Sequence, residues 1–248
     1  MVNQTQLALL LFLITFLPVF YLSGRRVQMG KLPDLRPILA FNVLKGVTAR
    51  AIETGRAVHI SLGLGGITSD VTADSLVGLS VLEYLSEQSA AAGVPPIITM
   101  ADPTLLPLAQ DAIRRPYGAD LEEATRAARH VRWIAPEPAA YAAGVMDTLG
   151  AEALDANVMV GAYGDEYLLM GEAANRREIT HIGAASDPNV APFVFATADQ
   201  MLMGEDMYAA GAYLAGKPWH IGSLLAQDFM RWSIVIVIVV LVAINTLL

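Results

Sequence analysis

The sequence predicts an α/β fold: a Rossmann-like or flavodoxin-like mostly parallel sheet with flanking helices, plus one transmembrane helix at each end. Three observations predict it. Strand-like and helix-like stretches alternate through the middle of the chain. No charged side chain occurs from Leu7 to Leu22, and none from Trp232 to Leu248. The charged share is 16% of 248 residues, below the quarter usual in soluble domains, and the deficit sits in those two runs. Four segments follow: 1–24, an N-terminal transmembrane helix; 25–37, a juxtamembrane linker; 38–216, a cytoplasmic α/β domain; and 217–248, a juxtamembrane segment with the C-terminal transmembrane helix.

The two ends are read from length and solvent. SIVIVIVVLVAINTLL, residues 233–248, shows no period-2 alternation and is too long for a strand. As a helix it extends about 24 Å at roughly 1.5 Å per residue, and Phe229 to Trp232 bring it near a full span. β-branched residues are poor helix formers in water, but in lipid a backbone must satisfy its own hydrogen bonds. LALLLFLITFLPVFYL, residues 7–22, reads likewise, with Pro18 as a kink site. The rival for this run is a cleaved signal peptide. Its basic start is missing, since MVNQTQ has no charged side chain, and no A-x-A site follows. Arg25 and Arg26 behind the first run, and Arg231 and Trp232 before the second, stand where anchor flanks belong. With Lys31, Arg36 and Lys217 they put the positive charge on the middle-domain side. The positive-inside bias then places that domain in the cytoplasm, both termini outside, and the lipid of the cytoplasmic membrane around the helices.

The middle is taken in order. GKLPDLRPI is a proline-bearing connector. ILAFNVLKGVTARAIETG (38–55) reads as a helix capped by Gly55. AVHISLGL is a strand, and DSLVGLSVLEYLSEQSAAAG a helix stopping at Gly93. PPIITMA is a strand, and DPTLLPLAQDAIRR a helix with Asp102 as N-cap and proline behind it. ADLEEATRAAR is a helix, VRWIA a strand, and PEPAAYAAGVMDTLGAE a helix opening with prolines. NVMVGAY is a strand, and EYLLMGEAANRR is ambiguous. ITHIGAA and PFVFAT read as strands, and DQMLMGEDMYAAGAYLAG closes the domain as a helix. Such alternation implies parallel strands with helices on both faces.

Composition removes several functions. A formal charge of −8 argues against a nucleic-acid partner, which would need a basic face. The absence of cysteine excludes a disulfide scaffold and thiol chemistry. His59, His130, His181 and His220 are scattered, with no H-x-x-x-H or H-E-x-x-H pair to suggest zinc. No serine sits in a G-x-S-x-G elbow. No catalytic set and no cofactor is identified.

Two ligand-binding patterns remain. HISLGLGGITSD places Gly63, Gly65 and Gly66 after the first strand, where backbone N–H groups can hold a phosphate. The spacing departs from G-x-G-x-x-G, since Thr68 stands at the last position, and no P-loop lysine follows. A tight turn with close helix–sheet packing accounts for the glycines equally. Acidic residues follow nearly every strand: Asp70, Asp102, Glu137, Asp165 with Glu166, and Asp187. In a parallel sheet they share the edge where ligands bind, and Mg²⁺ or a basic partner fits them. Capping of helix N-termini explains Asp70, Asp102 and Glu137 without a ligand. Gly204 and Gly211, seven apart in a stretch rich in small residues and methionine, fall on one helical face. That face can serve as an oligomer contact or pack on the chain's own sheet.

GRAVHISLGLGG, PPIITMADPTLLPLAQDAIRR, VMVGAYGDEYLLMGEAANRR and MLMGEDMYAAGAYL with SLLAQDFMRW together resemble an uncharacterised bacterial membrane-protein family, a domain of unknown function. The likeness runs from about residue 30 to the second anchor. It implies two terminal helices around an α/β domain, and a structural role in large ring-shaped membrane assemblies. The expectation is therefore a membrane-anchored assembly protein whose partners are lipid and copies of itself. The alternative is a tethered nucleotide- or cation-binding domain.

Overall fold

The computed structural model describes residues 4–31 and 33–247. Residues 1–3 of the first expected segment, Leu32 of the connector and Leu248 of the last lie outside it. The chain divides into two compact units: a helical one, Met1–Arg36 with Gly211–Leu248, and an α/β one, Pro37–Ala210.

The helical unit is built on α1 (Gln4–Gln28), which continues through Pro18 and past Arg25 and Arg26, and on the last helix of the chain, a 30-residue element from Pro218 to Leu247. Thr5–Gln28 and Pro218–Ile244 are each long and apolar enough to cross a membrane. Their apolar side chains point outward, as Leu9, Ile14, Val239 and Leu241 do. The two helices touch at backbone level: a Cβ on Gly222 would overlap the backbone of Gly24, and a Cβ on Gly24 would overlap the Trp219 ring. Val27, Ala212 and Ile221 form the small core around this approach.

The α/β unit opens with α2 (Leu39–Thr54), ended by Gly55 at φ +67. Then come β1 (Ala57–Gly63), α3 (Thr72–Ala90) and β2 (Ile97–Met100). A 3₁₀ turn leads into α4 (Leu106–Arg114), followed by α5 (Leu121–Ala128) and β3 (Val131–Trp133). Next are α6 (Pro138–Ala151), β4 (Leu154–Ala162), α7 (Tyr167–Asn175) and β5 (Thr180–Ala185). The series ends with α8 (Ala191–Thr197), β6 (Gln200–Met203) and the short turns α9 (Glu205–Tyr208) and α10 (Ala210–Tyr213); the long C-terminal helix is α11. The strands run in the order β3-β2-β1-β4-β5-β6 and every pairing is parallel. This is the Rossmann order rather than the flavodoxin one, and it reverses direction between β1 and β4.

Successive side chains of a strand point to opposite faces, and β1 shows the division. Leu62 meets α3, whose Gly78 lies so close that a Cβ there would sit 2.6 Å from the Val160 carbonyl. Ser61 faces the other way and bonds the Tyr141 hydroxyl of α6 at 2.7 Å. On that second side Tyr141, Val145, Met170 and Val194 of α6, α7 and α8 pack into one core.

Two expected elements are corrected. PFVFAT is not a strand but most of α8, which carries Pro192 in its first turn and buries Val194 and Thr197, three residues apart. DQMLM is not helical: residues 200–203 form edge strand β6, and Gly204 at φ +54 breaks the chain before α9. A short, mostly apolar run does not distinguish a helix from a strand by period alone. Gly204 therefore shares no helical face with Gly211, and Gly211 packs on the His220 ring. The ambiguous stretch 166–177 contains α7.

A candidate site at the strand-order reversal

In an open parallel sheet the crevice outside the carboxyl ends of the strands, where the order reverses, is the place for a ligand. Here it lies above β1 and β4. Gly63 ends β1 at φ +77 with the Ala162 carbonyl against it, so no larger residue fits. Leu64 N donates to Ala162 O at 2.8 Å. The next two glycines meet the chain's own side chains. A Cβ on Gly65 would sit 2.6 Å from Ser75 Oγ of α3, and one on Gly66 would overlap the Asp102 carboxylate. Ser75 Oγ is buried without a hydrogen-bond partner.

The acidic residues behave differently from one another. Asp102 accepts from Thr104 N at 2.8 Å and from Thr104 Oγ1 at 2.5 Å, and Glu137 accepts from Ala140 N at 2.8 Å, so both cap. Asp187 accepts from Asn189 N at 2.8 Å. Asp70 does not cap, contrary to the sequence reading. The helix starts at Thr72 with Val71 as its N-cap, and the turn is closed by the Thr72 hydroxyl donating to Ile67 O at 2.7 Å. Asp70, Thr68 and Asp165 stand exposed at the rim. Glu166, beside Asp165, is buried and accepts from Gly164 N at 2.8 Å. The structure thus joins Gly65, Gly66 and Asp102 to the loop's packing, and leaves Thr68, Asp70 and Asp165 on the surface.

Two features escaped the sequence reading. Asp74, in the first turn of α3, is buried. It accepts from Ser186 Oγ at 2.5 Å and from the Tyr208 hydroxyl, tying α3 to the loop after β5 and to α9. The signal was present: Asp74 lies on the same stripe as Gly78 and Leu82, four and eight residues on, and a carboxylate on an apolar stripe needs buried partners.

The second feature is a polar ladder inside the sheet. His59, Asn157 and His181 are opposite one another on β1, β4 and β5. His59 Nδ1 donates to Asn157 Oδ1 at 2.6 Å, so its Nε2 accepts from Thr99 Oγ1 at 3.0 Å. Asn157 Nδ2 donates to His181 Nδ1 at 3.1 Å, and His181 Nε2 is 3.1 Å from the Tyr167 hydroxyl. Above this row Ser61 meets both Tyr141 and Tyr163, whose hydroxyl donates to Ser61 O at 2.7 Å.

Burial holds both imidazoles down at about 4, against 6.5 in water, overriding the Asn157 side-chain oxygen beside His59 and the Asn157 backbone carbonyl beside His181, acceptors that favour the protonated ring. Burial also raises the Tyr141 hydroxyl to about 12 and the Tyr163 hydroxyl well above 10. At neutral pH the network is uncharged and locks register, because a one-residue slip would send His59 to the opposite face. The alternation of His59 and Ser61 in an otherwise apolar strand was its sequence signal. Among the described residues no group of three or more histidines and carboxylates is placed to hold a metal ion.

Residues 1–248, the whole chain, match one family model, described as Domain of unknown function (DUF6754). No curated protein and no solved structure matches the chain.

Proposed function

We propose, for a chain that belongs to the DUF6754 family, that it is a structural membrane protein whose copies assemble side by side into a large homo-oligomer. The observation that carries this reading is the surface of the α/β unit. Leu121 and Phe195 stand there 77% and 75% exposed, while the long polar ladder is turned inward and committed to itself. Exposed apolar side chains that gather in one place, as Met146, Leu168 and Leu169 do on α6 and α7, mark contact surfaces. The apolar terminal helices support a place in the bilayer. Arg25, Arg26, Arg36, Lys217 and Arg231 support a cytoplasmic α/β domain with both termini outside the cytoplasmic membrane. Repeated copies of one chain close most simply as a symmetric ring. The test is the mass of the protein extracted in mild detergent: a multiple of the 26.5 kDa chain is expected, and a monomer at micromolar concentration overturns the proposal.

A second reading rests on the strand-order reversal above Gly63, with Thr68, Asp70 and Asp165 open at its rim. A nucleotide or a divalent cation would bind there, making the domain a tethered sensor or enzyme. Thermal-shift measurements with nucleotides and Mg²⁺ decide it. A rise abolished by Asp70→Asn and Asp165→Asn supports it, and no shift with any of them ends it.

A further inference from the structure

We infer that the layer of α6, α7 and α8 is the self-association surface, with Phe195 of one copy seated in the α6–α7 groove of a second copy. The inference rests on the assembly reading above and names the partner surface for it. The groove is floored by Met146 of α6 and by Leu168, Leu169 and Ala173 of α7. Glu172, Arg176 and Arg177 form its rim. Arg176 is offset by Glu172 at 2.9 Å, whereas Arg177 makes no salt bridge among the described residues. The groove is therefore apolar below and positive above.

The knob has the opposite character. Phe195 projects from α8, next to α7 in the same layer, and is three-quarters exposed. From Ile179 to Gln200, the stretch that carries α8, the chain has no lysine or arginine, and its two carboxylates, Asp187 and Asp199, flank α8 on either side. An aromatic ring in an acidic setting thus faces, on another copy, an apolar groove with an unpaired cation. Aromatic anchors in pockets carry most of the affinity of an interface, and opposite charge around them sets orientation and excludes wrong pairings. An anionic lipid surface would suit Arg177 but not the carboxylates around Phe195, so the two halves of the surface fit each other better than they fit one lipid partner.

The chain has no cysteine, which makes the test direct. Phe195→Cys and Ala173→Cys are made separately in the full chain, purified in detergent, mixed and oxidised. A covalent dimer is expected in the mixture and not in either variant alone. Phe195→Ala, at an exposed position that folding does not depend on, is expected to raise the dissociation constant about tenfold or more, with an unchanged far-UV spectrum. Wild-type oligomers whose cysteine variants fail to join, and whose mass survives Phe195→Ala, assign the groove to another occupant and overturn the inference while the assembly reading stands. A monomeric wild type removes both.

Discussion

The helical unit and the α/β unit solve the same problem with opposite arrangements. In α11, Val235, Ile236, Val237 and Ile238 all face outward and the backbone bonds only to itself. In the sheet, His59, Asn157 and His181 are fully enclosed and bond to one another across three strands. Where water is absent, an unmet polar group is expensive. A lone helix meets that demand with its backbone and can be apolar all round. A sheet covered on both faces meets it with its ladder, and can then admit side-chain polarity in matched rows. The lesson is that apolar composition marks one unit, whereas paired exceptions to it hold the other together.

The comparison breaks most sharply at Asn157. Asn157→Leu leaves His59 Nδ1 without its side-chain partner, while His181 Nδ1 keeps the backbone carbonyl of residue 157 at 3.2 Å. An orphaned buried group costs roughly 1–3 kcal/mol, so a loss of about 1–3 kcal/mol is expected in urea unfolding. A loss below 1 kcal/mol would show that the ladder is incidental.

Acid provides the next test. Both imidazoles sit at about 4 in the folded chain against 6.5 unfolded, so the unfolded state binds more protons between those values. Stability is fully present above pH 6.5 and falls as pH drops toward 4, by about 1.4 kcal/mol per pH unit for each histidine. Thermal unfolding of the His181→Gln variant is expected to show a shallower pH slope than wild type; an equal slope would show that His181 does not contribute to the acid sensitivity.

A smaller effect compares one substitution in both units. A Cβ on Gly161 would overlap the Leu62 carbonyl where β1 and β4 pair, and one on Gly222 would overlap the Gly24 backbone. Overpacking of this kind costs about 1–3 kcal/mol. Gly161→Ala is expected to lower the melting temperature of the α/β unit. Gly222→Ala is expected to leave that melting unchanged and to weaken a disulfide cross-link engineered between α1 and α11. If each change altered both readouts equally, the two units would be one cooperative body. Smallest of all, Arg126→Ala removes surface bridges to Glu122 and Glu123 at 3.3 and 2.8 Å. It is expected to cost less than about 0.5 kcal/mol, within the error of a urea titration.

Much of the fold was legible from local signals. Gly55 ends α2, Asp102 and Glu137 cap, and strand and helix alternate as the patterning demands. The reading failed where local signals are degenerate. PFVFAT has strand-like composition but becomes α8, because its proline starts a helix and Val194 is drawn into the core under α7. Asp70 looked like a cap until the turn before Thr72 was closed by a hydroxyl instead. At the candidate site the glycine loop is visible in the sequence, but not what fills it: Ser75 meets Gly65 from ten residues on, and Asp102 meets Gly66 from thirty-six residues on. Within the chain, the closest approach of two helices lies at Gly24 and Gly222, near opposite ends of the sequence, which no local pattern announces.

The sequence by itself determined which stretches are long and apolar enough to cross a membrane, where most helices start and stop, and that parallel strands would alternate with helices. These follow from composition and from periods of two and 3.6 residues, which are properties of a single segment. Only the tertiary structure decided the strand order, the row of His59, Asn157 and His181, the burial of Asp74, and the exposure of Phe195 on α8. Each of those depends on the distance between residues far apart in the chain, and that distance is set when the segments pack.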